Sequence, residues 1–170
     1  MEEAFYLSHS LKCLNILDKD KRLMAHQQLW QYMKSGKPNF PDFYKAYSHL
    51  RVKNWVVMSG VQYGVDFVAY RHHPALVHSE FTVLVLSGGD GDANERLRVW
   101  SDVNCTARLC SGVVKTLLVL EIGKNGHGVG SPSCLEEYNV SEYTISRWLP
   151  ERCRENQNVV QSESTTSTNC

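Results

Sequence analysis

The sequence has no surplus of either charge. Its 170 residues include 18 basic and 18 acidic side chains, for a formal net charge of +0. A general nucleic-acid coat would be strongly basic, so the balance argues against that class, while RNA binding through a local patch or through basic partners stays open. No stretch approaches the length of a transmembrane helix, and no membrane role is expected. The N-terminus MEEAFYLSHSL is acidic and lacks a charged n-region with a long apolar core, so it does not read as a signal peptide. None of the six cysteines (Cys13, Cys105, Cys110, Cys134, Cys153, Cys170) stands in a CxxC pair. They read as reduced thiols of an intracellular protein, mostly buried as small apolar residues, with Cys170 exposed in a polar tail. The glycine-rich stretch Gly123–Ser133 lacks GxGxxG spacing and no helix follows it, which argues against a phosphate cradle. Ser87–Asp92 holds two glycine-aspartate pairs but neither EF-hand spacing nor its terminal glutamate, so a solvated turn is expected. There is no internal repeat.

A hydrophobic content of 42% supports a real core, in a chain long enough for one domain and an appendage. Glu2–Leu17 reads as a helix with Phe5, Leu11, Leu14 and Leu17 on one face, and Arg22–Met33 as a second with Leu23, Leu29, Trp30 and Met33, stopped by Ser35-Gly36-Lys37-Pro38. These two are too small to fold alone and are expected to pack on the main domain or on a partner. Pro41–Lys53 is a third helix with Phe43, Ala46, Tyr47 and Leu50 on its apolar face. Val56–Met58, Val65–Tyr70 and Phe81–Leu86 read as strands, with Gly60 and Gly64 as punctuation and Pro74 breaking the pattern between the second and third. Asn94–Gly112 is a fourth helix, Lys115–Ile122 a fully buried strand, and Leu135–Leu149 alternates into a final strand region ending in Ser146-Arg147-Trp148. Glu155–Cys170, rich in Asn, Gln, Ser and Thr, is expected to be disordered. The order implies an α/β (α+β) fold, a mixed sheet flanked by helices behind a small helical N-terminal region.

Tyr70 closes one strand, His78 precedes the next, and Lys115 opens a later one. Neighbouring strand ends can face one cleft. RNA can be cleaved without a metal when the 2′-hydroxyl attacks the adjacent phosphate. One group then takes the 2′ proton, one protonates the departing 5′ oxygen, and one stabilises the extra phosphorane charge. Histidine suits the acid, because its pKa lies near neutrality, and lysine suits the charge. Tyrosine is a poor base unless a cation such as Lys115 lowers its pKa from about 10. Each residue also has a plain reading: a packed aromatic, a hydrogen-bonded loop imidazole, and a lysine snorkelling from a strand start. Adjacent His72 and His73 point to opposite faces of an extended segment and make poor joint metal ligands. Asp66 and Glu80 would fit a metal-dependent restriction-type nuclease only with a lysine two residues later, where Thr82 stands instead. Arg108 and Trp148 can hold an unstacked base between guanidinium and indole. Their plain reading is a helix-surface arginine and a core tryptophan.

The stretch GVQYGVDFVAY followed by HSEF, with SGVVKTLLVLEI further on, resembles the catalytic subunits of the tRNA-splicing (tRNA-intron) endonuclease, over roughly Phe40–Arg154. The resemblance implies a restriction-endonuclease-like nuclease fold. It also implies a helical N-terminal region over 1–39, shorter than the family's usual one, a catalytic domain over 40–154 and a tail over 155–170. It makes Tyr70, His78 and Lys115 the catalytic triad and Arg108 with Trp148 the RNA base clamp, with no metal and no cofactor. The ending TISRWLPERCR resembles the subunit that cuts the 5′ splice site of precursor tRNA. The implied products carry a 2′,3′-cyclic phosphate and a 5′-hydroxyl. The implied partners are a second catalytic subunit and two structural subunits, in the nucleus. The family's structural subunits insert an acidic loop into a neighbour, and Gly123–Ser133 has no acidic run. A non-catalytic tRNA-binding or assembly subunit, or the 3′-site catalytic sibling, is the alternative.

Overall fold

The computed structural model describes residues 1–88, 100–111, 116–124 and 130–145. Along the chain come α1 (Glu2–Phe5) with a π-helical continuation (Tyr6–Ser10), α2 (His26–Gly36), α3 (Phe40–Val52), β1 (Val56–Ser59), β2 (Phe67–Tyr70), β3 (Phe81–Ser87), α4 (Trp100–Ser111), β4 (Thr116–Gly123), a 3₁₀ turn (Pro132–Glu136) and β5 (Asn139–Ile145).

The residues of α3 dictate both its ends. Pro41, with φ already helical and no N–H to satisfy, stands in the first turn. Phe40, Tyr44, Tyr47 and Leu50 recur at steps of three and four and are all buried, with Ala46 beside them. The helix stops where Asn54 adopts a left-handed φ of 63°. The Asn54 N–H donates to the Arg51 carbonyl at 3.0 Å and the Trp55 N–H to the Leu50 carbonyl at 3.1 Å. That is a Schellman closure, and its usual apolar contact is supplied by buried Leu50 and Trp55. The turn delivers the chain directly into β1.

The five strands form one mixed sheet in the order β1-β2-β3-β4-β5. Three neighbouring pairs are antiparallel, and β3 with β4 is parallel. A parallel pair cannot be joined by a tight turn, and α4 lies in that connection, against β4. This is the mixed sheet flanked by helices that the element order implied. Alternation splits the strands between two cores. Val57, Phe67, Ala69, Val83, Val85, Leu118, Leu120 and Ile122 face α3, while Val68, Leu84, Leu117 and Val119 bury the opposite face. At the β1–β2 turn, a Cβ on Gly60 would meet the Val65 Cγ2 at 2.6 Å and the Phe67 backbone at 2.9 Å, so no larger residue fits. Gly64 takes the left-handed φ of 68° that ends the Val61–Tyr63 turn.

The N-terminal segment departs from the sequence reading. Helix extends only to Ser10, not to Leu17, and Leu11, Leu14 and Leu17 are exposed. So short a helix is sustained by tertiary packing, and those leucines stay outside the core. The chain instead turns through Asp18–Lys21: Met24 donates to the Ile16 carbonyl at 2.9 Å and Asp18 to the Arg22 carbonyl at 2.8 Å. The second helix begins at His26 rather than Arg22, where the Gln28 side chain reaches back to the Ala25 N–H at 3.1 Å. Leu23 is left exposed. Phe5, Leu29, Trp30 and Met33 pack on the main core as expected. Phe5 is enclosed by Trp30, Phe40 and Tyr44, with ring centroids 4.8–5.5 Å apart. The cysteines also differ from expectation, since Cys13 and Cys105 are exposed and only Cys134 of the three described thiols is buried. The final strand begins later than expected, because Leu135 belongs to the 3₁₀ turn, and β5 is a largely exposed edge.

Candidate active site

The register brings one rim of the sheet together. Val56 pairs with Tyr70, Ala69 with Phe81, Phe81 with Thr116 and Leu117 with Ile145. The starts of β1, β3 and β4 and the ends of β2 and β5 therefore share one edge. Tyr70 is half-buried there and packs against the core on the face away from α3. His78 lies exposed in the loop from 71 to 80 that joins β2 to β3. The sequence reading placed these two at neighbouring strand ends, and the hairpin does so. Lys115, the residue before Thr116 in sequence, lies outside the described residues, as does Trp148. Arg108 is exposed in the last turn of α4.

The loop holding His78 is closed by contacts that sequence reasoning missed. The Glu80 N–H donates to the Ala69 carbonyl at 3.0 Å, and the Thr116 N–H to the Glu80 carbonyl at 3.2 Å. The Arg71 guanidinium lies 3.9 Å over the Trp55 ring and its Nε is 3.5 Å from the Glu80 carboxylate. Inside the loop, the His73 Nδ1 accepts the Ala75 N–H at 3.2 Å, and His72 and His73 are both exposed, as a surface-loop reading requires. No periodic signal marks Arg71 or Glu80, and only the fold brings Trp55 across to them.

The carboxylates weighed for a metal centre are separated by geometry. Asp66 precedes β2 and Glu80 precedes β3, at opposite ends of the paired strands. Four residues of strand put them about 13 Å apart along the sheet. Asp66 Oδ2 instead accepts the Val85 N–H at 2.9 Å. Thr82, where a lysine would stand, is fully buried, with its hydroxyl toward the Thr116 carbonyl at 3.4 Å. Two other tyrosines, Tyr47 and Tyr138, are poorly suited as bases. Burial, then Glu3, pushes the Tyr47 phenol up to about 12, and burial also raises Tyr138.

Comparison with known proteins shows the family. The family model for the tRNA intron endonuclease catalytic C-terminal domain matches residues 40–128. The chain is 57% identical over 158 residues to the tRNA-splicing endonuclease subunit Sen2-2 of Arabidopsis thaliana, covering 92% of this chain and 62% of that protein. It is 54% identical to the probable subunit Sen2 of Oryza sativa subsp. japonica, over 91% of this chain and 54% of that one. It is 30% identical to the mouse subunit Sen2, over 92% of this chain and 35% of that one. The chain thus spans a little over half the length of the plant relatives and about a third of the mouse one. With more than half its residues under the family model and most of its length aligned to such relatives, this chain belongs to the tRNA intron endonuclease family.

Proposed function

We propose that the chain is a tRNA-splicing endonuclease subunit, a tRNA-intron endoribonuclease (lyase) that cleaves intron-containing precursor tRNA at the 5′ splice site. The observation that carries the reading is the shared rim, where Tyr70 ends β2, His78 lies in the next loop and β4 begins beside Glu80. Tyr70 takes the 2′-hydroxyl proton as the 2′ oxygen bonds to phosphorus. The bond from phosphorus to the 5′ oxygen breaks, and that oxygen leaves with a proton from His78. Lys115 stabilises the charge gathered on the phosphorane. The products are a 2′,3′-cyclic phosphate and a 5′-hydroxyl, and neither a metal nor a cofactor takes part. Arg108 and Trp148 clamp a base by stacking, in the manner of single-strand RNA recognition. The catalytic domain covers 40–154, and the chain works in the nucleus with a second catalytic subunit and two structural subunits. The relatives bear the name of a splicing endonuclease subunit, which supports both substrate and company.

The test is cleavage of an intron-containing transcript by the assembled complex in excess EDTA, beside a transcript with a 2′-deoxy nucleotide at the 5′ site. Cutting should survive EDTA, and the deoxy change should abolish the 5′ cut. Loss of cutting that magnesium restores on a substrate shown to remain folded would overturn the mechanism.

A further inference from the structure

The geometry points to Arg71 and Glu80 as positioning residues that set the place of His78 relative to Tyr70, an inference that rests on the triad reading above. Arg71 follows Tyr70 directly, and Glu80 lies two residues after His78. Their ion pair, with Nε and carboxylate 3.5 Å apart, therefore ties together the two arms of the loop next to the base and the acid. Each arm is fixed independently. Arg71 lies on Trp55, itself buried and edge-on to Phe81 with centroids 5.1 Å apart. The Glu80 backbone is held on both sides, by Ala69 of β2 and Thr116 of β4. With Glu80 fixed by strand hydrogen bonds and Arg71 by an aromatic face, the pair controls how far the intervening loop can swing. Proton delivery to a leaving oxygen requires hydrogen-bond reach, so a small displacement of His78 costs rate without costing binding. Neither Arg71 nor Glu80 needs to touch the RNA for this.

A sulfur leaving group separates positioning from other effects, because a thiolate departs without a proton. Assembled complexes carrying Glu80→Gln, Arg71→Met, Arg71→Lys or His78→Ala would be compared on precursor tRNA with an ordinary bond and with a 5′-bridging phosphorothiolate at the 5′ site. Arg71→Met keeps a stem over Trp55 and drops the charge, whereas Arg71→Lys keeps the pairing. Glu80→Gln and Arg71→Met should slow single-turnover cutting of the ordinary bond by roughly ten- to hundredfold, with unchanged precursor affinity. The melting temperature should hardly move, since an ion pair this exposed adds little to stability. Cutting of the phosphorothiolate should stay near the unmodified rate, and Arg71→Lys should retain most activity on both substrates. An equal loss on both substrates, weakened precursor binding, or no loss at all in Glu80→Gln and Arg71→Met would overturn the positioning role while His78→Ala still showed the sulfur rescue. If His78→Ala itself cuts both substrates at the unmodified rate, the acid assignment fails, and this inference fails with it.

Discussion

The Thr116 N–H donates to the Glu80 carbonyl at 3.2 Å, joining the start of β4 to the base of the loop that carries His78. Sequence alone separates these two residues by a strand, a helix and two connections. The parallel pairing of β3 with β4 makes them neighbours.

The turn into β1 should depend on Asn54. Its φ of 63° is unfavourable for most residues by about 1–2 kcal/mol, less for asparagine and not for glycine. Asn54→Val should lower stability toward urea by an amount of that order, and Asn54→Gly should match or exceed the unmodified protein. If both changes act alike, the left-handed closure is not what shapes this corner.

The N-terminal segment should be part of the domain's stability. Phe5 is fully buried among Trp30, Phe40 and Tyr44. Phe5→Ala should cost about 3–5 kcal/mol of unfolding free energy. A loss below about 1 kcal/mol would mean that the segment docks only loosely.

A pH dependence should arise at the β5 edge. The Glu142 carboxylate receives both His49 and Lys53 of the α3 end at 2.5 Å. Partial burial works against its charge, but the hydrogen bonds from Lys53 and His49 outweigh it and hold the carboxyl below its ordinary 4.5. A folded value below the unfolded one adds stability above 4.5 that is lost as pH falls through the folded value. Glu142→Gln should therefore lower the unfolding free energy from urea titration modestly at neutral pH, by no more than about 1 kcal/mol for a partly exposed pair, and leave it unchanged in strong acid. Equal losses at both pH values would point to packing rather than charge.

How much of this was legible in the sequence varies by element. The third helix was readable because Phe43, Ala46, Tyr47 and Leu50 repeat at helical steps. The β3 and β4 runs were readable because strands covered on both faces are continuously apolar. Tyr70 and His78 were singled out through strand ends and the family motif, and the register shows the neighbouring strand ends. The N-terminal hairpin excursion was misread because Leu11, Leu14 and Leu17 imitate a helical stripe, and periodicity cannot tell whether a partner surface exists. Arg71 and Glu80 escaped because their meaning lies in pairing register, which brings Trp55, Arg71 and Glu80 together from three separate segments.

The base clamp should separate activity from stability. Arg108 is exposed, so Arg108→Ala should leave the melting temperature unchanged. If it stacks a base with Trp148, either alanine change should cost roughly ten- to hundredfold in cleavage. The two losses should be strongly non-additive, because one side of a sandwich cannot hold the base alone. Full activity in Arg108→Ala, with a large fall in melting temperature for Trp148→Ala, would leave a core tryptophan and no clamp.

The most direct measurement is cleavage at each splice site by an assembled complex carrying His78→Ala. If His78 is the proposed general acid, its removal should slow the 5′ cut by about 10²–10⁴-fold. On the proposed reading the 3′ cut belongs to the second catalytic subunit and should continue at its normal rate. A 5′ cut that proceeds unchanged, or equal loss at both sites in a correctly assembled complex, would contradict the assignment of this rim to 5′ splice-site chemistry.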